Sequence, residues 1–318
     1  MITKGIFSFI ENTYYNLEIH FWFILFQPAM EREIMHKYSF LENILYPPSY
    51  MNKKKLAVEL KGKTVLITGA SSGIGEHLAY MLADMNIHMI LVARREEKLL
   101  AIKSDIEQKT ARVSIFPADL RKAEDMEALL TFIHQLPDGL DYIVSNAGKS
   151  IMRPINNSLD RYHDFTRTMA INYFAPVQLM LSTIPNLAKK KGHFINISTI
   201  NVLLQPIPYW AAYQASKSAF DIWLRSSAPE LNAMGISTTS IYLPLVKTPM
   251  ILPTKAYNKA PAMRPDHVAR IICRSMYTKR RYYKPWWLIF VQLGSVLLRG
   301  IWESAAPAVL KERGKRNV

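Results

Sequence analysis

The sequence predicts an α/β fold, a doubly wound parallel sheet with helices on both faces, extended by helical appendages at the two ends. Three observations predict it. Short β-rich runs alternate with helical stretches from Lys63 onward, a glycine cluster separates the first run from the first helix, and no internal repeat interrupts the alternation. With 318 residues and 49% apolar composition, the chain can bury a sizeable core within one such domain.

Residues 1–58 form an aromatic-rich N-terminal extension, with Phe21, Trp22, Phe23 and Phe26 clustered and Pro47-Pro48 near its end. Met51-Asn52-Lys53-Lys54-Lys55 looks like an ordinary enzyme start, so both an accessory element and an over-extended start fit this region. The cluster Phe21–Phe26 is too short for a secretory signal and lacks a small-residue cleavage site. Residues 59–277 are the expected catalytic domain. Its strand candidates are Thr64–Ile67, Ile87–Val92, Val113–Phe116, Leu140–Val144, His193–Ile197 and Ser237–Tyr242, with helices between them.

Residues 278–318 form a basic, amphipathic segment. Nine Lys/Arg against Glu303 and Glu312 give it +7 of the chain's +15. The charges flank Trp286-Trp287-Leu288-Ile289-Phe290-Val291, a run that a plain solubility tail would lack. Read as one helix over 286–303, Gln292, Ser295, Arg299 and Glu303 fall on one narrow polar stripe. Such a helix suits the headgroup layer, with Trp286, Trp287 and Trp302 at interfacial depth, and it is too interrupted to span a bilayer. The alternative is a helix that covers the substrate cleft or a homo-oligomer interface.

The single cysteine, Cys273, excludes a disulfide framework. The histidines show no ligand spacing, so no metal is expected, and His163 reads as a helix-face or substrate-pocket residue. A charge of +15 calls for anionic partners, but no RNA-binding signature or zinc finger accompanies it, and nucleic acid is not expected. The expected setting is cytoplasmic, on the cytoplasmic face of a membrane.

Thr68-Gly69-Ala70-Ser71-Ser72-Gly73-Ile74-Gly75 lies where the first strand hands over to the first helix. Glycines there let the backbone approach a pyrophosphate, and the helix N-terminus offers free N–H groups. Arg94 and Arg95 end the second strand about 20 residues on, where an NAD enzyme would carry an acid for the ribose 2′-hydroxyl. A guanidinium there suits a 2′-phosphate and hence NADPH. The competing reading pairs both arginines with Glu96 or Glu97 on a solvated helix. Downstream, Tyr213 and Lys217 stand four residues apart on one helix face, and Ser198 ends the strand before that helix. A neighbouring ammonium is expected to lower the phenol's pKa towards the working range.

These residues resemble the short-chain dehydrogenases/reductases over Leu60–Met276. The resemblance implies a Rossmann-like fold and a cofactor motif at Gly69, Ser71, Ser72, Gly73, Ile74 and Gly75. It implies an adenine-contacting pair in Asp119-Leu120 and the motif Asn146-Ala147-Gly148 after the fourth strand. It makes Asn172, Ser198, Tyr213 and Lys217 the catalytic set, with Tyr213 and Lys217 also touching cofactor, and Pro244, Val246 and Thr248 the segment that closes on the nicotinamide. Ser145 and Leu245 depart from the family's usual asparagine and glycine without removing a catalytic group.

The segments 114–120, 158–169, 240–250 and 256–265 are similar to bacterial fatty acyl-coenzyme A reductases of the wax-ester kind. That likeness implies an acyl-coenzyme A or lipid substrate reduced to the aldehyde with NADPH. A ketone reductase of 3-ketoacyl or other lipid ketones, and a membrane-bound cofactor-sensing scaffold, are the competing readings. A cysteine thioester is not expected, because Cys273 lies far along the chain from Tyr213, so direct hydride attack on the bound thioester is favoured.

Overall fold

The computed structural model describes residues 38–252, 254, 257 and 260–316. Most of the aromatic extension therefore lies outside the described residues, as does the side chain of Trp302. Seven strands form one sheet: β1 (Lys63–Thr68), β2 (Ile87–Ala93), β3 (Arg112–Pro117), β4 (Tyr142–Ser145), β5 (His193–Thr199), β6 (Ser237–Leu243) and the short β7 (Tyr282–Tyr283). They run in the order β3-β2-β1-β4-β5-β6-β7, and every neighbouring pair is parallel. The order reverses between β1 and β4, and a crevice outside the carboxyl ends of these strands is where a doubly wound sheet takes its ligand. The central strands are buried along nearly their whole length, as a sheet covered on both faces requires.

The chain enters through α1 (Phe40–Leu45) and α2 (Lys53–Leu60). The helices α3 (Gly73–Leu82), α4 (Glu96–Ile106), α5 (Ala123–His134), α6 (Tyr162–Met169), α7 (Ala175–Lys190), α8 (Ala211–Ala233) and α9 (Pro265–Thr278) follow. Two cores result, one on each face of the sheet. Leu78, Leu82, Leu99 and Ile272 belong to the first, with Leu56 and Leu60 of α2, while Leu129, Leu179, Phe220 and Leu224 belong to the second. Cys273 lies in the first core, fully buried, and burial pushes its thiol up to about 12.

The C-terminal segment departs from the single helix expected over 286–303. It forms α10 (Leu288–Leu297) and α11 (Arg299–Arg316), which meet at a 63° bend. Leu288 is rooted in the domain and Gln292 donates to the Leu203 carbonyl at 3.2 Å, which fixes α10 against the body of the protein. The helix ends at Leu297, and a single turn residue, Leu298, separates it from α11. The expected polar stripe is thereby split, with Arg299 and Glu303 paired at 2.8 Å on α11. Among the described residues no single helix is long and apolar enough to cross a membrane.

Candidate active site

The glycine turn is built by crowding. Gly69 and Gly73 sit at φ +68° and +60°, in the left-handed region. A Cβ on Gly75 would come within 2.5 Å of the Gly69 carbonyl oxygen, so no side chain fits there. A Cβ on Gly73 would meet Thr248 Cγ2 at 3.0 Å, which brings the expected closing segment directly against the turn. Ser72 precedes α3 without capping it through its side chain, and Ile74 packs into the first core. A helix N-terminus left uncapped and backed by glycines matches what a pyrophosphate needs.

Beside it, Thr68 and Asn146 tie β1 to β4. The Thr68 hydroxyl accepts from the Asn146 and Ala147 N–H groups at 3.0 and 2.9 Å and donates to the Val144 carbonyl at 3.4 Å. Asn146 Nδ2 donates to the carbonyls of Thr68 and Gly69 at 3.0 and 3.3 Å. The two arginines after β2 have different tasks. Arg95 donates to the Ser71 hydroxyl and carbonyl, both within 3.1 Å, which steadies the turn. Arg94 is exposed and, among the described residues, makes no hydrogen bond or ion pair. Among the described residues neither arginine pairs with Glu96 or Glu97. Asp119 accepts from Arg121 Nε at 2.9 Å, which holds its carboxyl below the usual range, and Leu120 is buried beside it.

The expected reaction groups converge at the C-terminal end of β5. Lys217 Nζ donates to the Ile197 carbonyl at 3.0 Å, one residue before Ser198, and Tyr213 lies near Thr199, one residue after it. Ser198 is buried and its hydroxyl has no hydrogen-bond partner. Burial pushes the Tyr213 phenol up to about 12, with the Thr199 hydrogen bond pulling weakly the other way. The expected lowering by Lys217 is therefore absent. The lysine's ammonium is turned onto a backbone carbonyl, and burial lowers its own pKa to about 8. A phenol with a raised pKa is protonated at neutral pH, the form that donates a proton.

Asn172 sits in a π turn, Ala170–Phe174, inserted between α6 and α7. Pro176 explains the turn locally: it has no N–H, so the Asn172 carbonyl lacks its α-helical partner. The side chain is wholly engaged. Oδ1 accepts from the Lys149 N–H, and Nδ2 donates to the Lys149 carbonyl and the Ser216 hydroxyl, all at 2.9 Å. It fastens the loop after β4 to the helix that carries Tyr213. A Cβ on Gly148 would lie 3.1 Å from Asn172 Oδ1 and 3.5 Å from Lys217 Nζ, so this glycine lets the three residues meet.

Several residues at the site have no motif of their own. Lys149, half-buried, is held below its ordinary pKa by burial and by Arg167, Arg121 and Arg94 nearby. Arg153 and Arg167 both pair with the buried Asp164, and His163 stands 3.5 Å from the same carboxylate with its side chain half exposed. Tyr209 is held at φ +72°, a strained value for an aromatic residue, and its carbonyl accepts from the Arg153 N–H at 2.8 Å. Tyr257 stacks on Trp210, which packs against Tyr213, and its buried hydroxyl also lacks a partner. The one available signal was position: Lys149 directly follows Asn146-Ala147-Gly148. Among the described residues, no group of His, Cys, Asp or Glu could hold a metal ion.

Comparison with known proteins gives this arrangement a context. A family model described as short chain dehydrogenase matches residues 63–258. A fatty acyl-CoA reductase of Acinetobacter baylyi is 46% identical over 226 residues, covering 70% of this chain and 76% of the relative. A fatty acyl-CoA reductase of Mycobacterium tuberculosis is 37% identical over 223 residues, covering 70% of this chain and 76% of the relative. Among solved structures, a short-chain dehydrogenase from Sphingobium yanoikuyae in complex with NADPH superposes with a TM-score of 0.65. It has 21% identity and covers 79% of this chain and 95% of that one.

Proposed function

The chain belongs to the short-chain dehydrogenase/reductase family of oxidoreductases, and from that premise we propose that it reduces long-chain fatty acyl-coenzyme A to the fatty aldehyde with NADPH. The observation that carries the reading is the buried, unpartnered Ser198 hydroxyl, next to the Ile197 carbonyl that Lys217 holds and on the strand end that Tyr213 approaches. The 46% identity to the Acinetobacter baylyi enzyme supports a thioester over a ketone.

The chain fits the cofactor. The uncapped N-terminus of α3 and Gly69–Gly75 would receive the pyrophosphate, and the unpaired Arg94 the 2′-phosphate. Asp119 and Leu120 would border the adenine, and Asn146, Ala147 and Gly148 the floor of the crevice. Tyr213 and Lys217 would face the nicotinamide ribose, and Pro244, Val246 and Thr248 would close over the carboxamide. When bound, NADPH supplies the hydride.

The protons belong to the protein. Ser198 and Tyr213 hydrogen-bond the substrate's carbonyl oxygen, and Tyr213 gives it a proton as negative charge gathers there. The resulting hemithioacetal then breaks its C–S bond, its hydroxyl proton passing to the departing sulfur, which leaves the aldehyde and coenzyme A thiol while Tyr213 regains its proton from solvent. Lys217, held by the Ile197 carbonyl, would serve by binding the nicotinamide ribose, while Asn172 acts through its grip on Lys149 and Ser216. No acyl-cysteine is involved, since Cys273 lies fully buried in the first core.

We also propose that the enzyme works at an anionic membrane surface. Phe290, Leu293, Val296 and Leu297 of α10 are exposed, as are Phe40, Leu41 and Ile44 of α1, and Trp286 Nε1 donates to the Ile44 carbonyl at 3.2 Å. Through this contact α1 and the segment leading into α10 meet, and their exposed apolar side chains would together suit a headgroup layer.

Purified protein incubated with NADPH and palmitoyl-coenzyme A is expected to consume NADPH and release one free thiol per aldehyde formed. Tyr213→Phe is expected to lower this turnover by at least about 10²-fold, while NADPH still binds. A secondary alcohol from a ketoacyl thioester, with no thiol release, would overturn the thioester reading. Near-normal turnover by Tyr213→Phe would overturn the catalytic assignment.

A further inference from the structure

Residues 38–46 lie outside the span matched by the family model, yet they hold a buried carboxylate that reaches the loop after β6. Glu42 on α1 begins as half of a capping box: Ser39 Oγ accepts from the Glu42 N–H, and the Ser39 N–H donates to Glu42 Oε2 at 2.9 Å. Capping-box carboxylates usually face water. This one is 5% exposed and reaches further. Oε2 accepts from Lys247 Nζ at 2.9 Å, and Oε1 accepts from the buried Ala262 N–H at 2.9 Å.

Lys247 and Ala262 stand at the two ends of the loop that follows β6. Those ends are also joined to each other, by Lys247 N–H to the Met263 carbonyl and Met263 N–H to the Leu245 carbonyl, both at 2.8 Å. Tyr38 and Tyr46 add to the clasp. The Tyr38 hydroxyl accepts from the Arg264 N–H at 3.0 Å and pairs with His267 Nδ1 at 2.9 Å, and Tyr46 donates to the Pro261 carbonyl at 3.3 Å. From Lys247 the connection is one residue long to Thr248, which packs against Gly73 of the phosphate turn. The extension therefore reaches the cofactor cradle through Glu42, Lys247, Thr248 and Gly73.

We propose that Glu42 is a positioning residue that sets the closing segment Pro244–Thr248 against the cofactor, so that tight NADPH binding depends on the extension. This rests on the reading that the segment closes over NADPH. The carboxylate has the chemistry for the task. It gives the ammonium of one loop end and the N–H of the other a single shared acceptor, and the geometry fixes both ends at once. The catalytic groups on β5 and α8 are not part of the clasp, so its loss acts on affinity more than on the rate of the bound complex.

NADPH affinity of the full chain is measured by titration without substrate, beside KM for NADPH, kcat and Tm. Glu42→Ala is expected to raise both the Kd and the KM for NADPH about tenfold, with kcat within about twofold of the parent. Glu42→Gln keeps an acceptor of the same length and is expected to recover part of the loss. A fall in Tm with unchanged NADPH affinity would mean that Glu42 serves the fold alone, and the proposal would be overturned. Should Glu42→Ala not fold, a double-mutant cycle of Glu42→Gln with Lys247→Gln decides. Non-additive NADPH affinities support the clasp, and additive ones overturn it. Failure of the unaltered protein to bind NADPH would instead defeat the cofactor reading itself.

Discussion

The two ends of the cleft treat buried hydroxyls in opposite ways. At the crossing of β1 and β4, the single hydroxyl of Thr68 serves three backbone groups. At the end of β5 and beyond it, the hydroxyls of Ser198 and Tyr257 are buried with no partner. A buried polar group left unpaired costs about 1–3 kcal/mol, so a fold gains nothing by keeping it. At the end proposed for the cofactor, Thr68, Asn146 and Arg95 bond to the protein itself, while Arg94 stands exposed. The reaction end holds donors in reserve, and their missing partner is the reacting oxygen in the reading proposed here.

A paired substitution breaks or sharpens this contrast most strongly. Ser198→Ala is expected to lower turnover by about 10²–10³-fold while leaving the stability of the free protein equal or slightly higher, because it deletes an unsatisfied donor. Asn146→Ala removes two hydrogen bonds to the β1 end and is expected to destabilise the free protein by about 1–3 kcal/mol. Urea titrations beside steady-state rates read both. A Ser198→Ala protein as destabilised as Asn146→Ala would erase the distinction between the two ends.

The second effect is smaller and lies wholly within the cofactor end. Arg94→Asp is expected to move the NADPH-to-NADH ratio of kcat/KM towards NADH by at least about tenfold, since it replaces the unpaired cation with a repelling charge. Arg95→Ala should disturb the two cofactors alike, because Arg95 grips Ser71 rather than standing free. An unchanged ratio in Arg94→Asp would move recognition of the phosphate to another residue.

The smallest effect belongs to the C-terminal segment. Deleting residues 285–318 is expected to reduce co-sedimentation with anionic phosphatidylserine vesicles several-fold at low salt, with added salt weakening what remains. Unchanged sedimentation would defeat the membrane reading. Loss of an oligomer with no lipid affinity in either form would assign that segment to contact between copies.

The same contrast explains what was legible in the sequence. Gly69, Gly73 and Gly75 are demanded by backbone geometry, and Tyr213 and Lys217 by the spacing of one helix face, so their residue types announce their places. The alternation of strands and helices is likewise a local pattern, and the parallel order follows from it. Glu42 was invisible, because its partners are 205 and 220 residues away. Tyr209 gave no sign either, since nothing in its type calls for a positive φ. The division of labour between Arg94 and Arg95 depends on which guanidinium meets Ser71, a matter of three-dimensional placement. The direction of the Lys217 ammonium is illegible for a similar reason: spacing puts Lys217 beside Tyr213 on one helix face, but only the fold turns its ammonium onto the Ile197 carbonyl. The C-terminal helix was read as continuous because its polar stripe ignores the break at Leu298.

The π turn at Ala170–Phe174 gives the stretch from Tyr162 to Lys190 a phase. Each residue of an α-helix advances the facing direction by about 100°, and the turn's extra residue is absorbed at one place only. Side chains along α7 can change type without disturbing their neighbours' bearings. A change in residue count is different, because it would rotate every later position against α8, and one made before Asn172 would also carry it off Lys149. In this stretch the number of residues carries information that their identities do not.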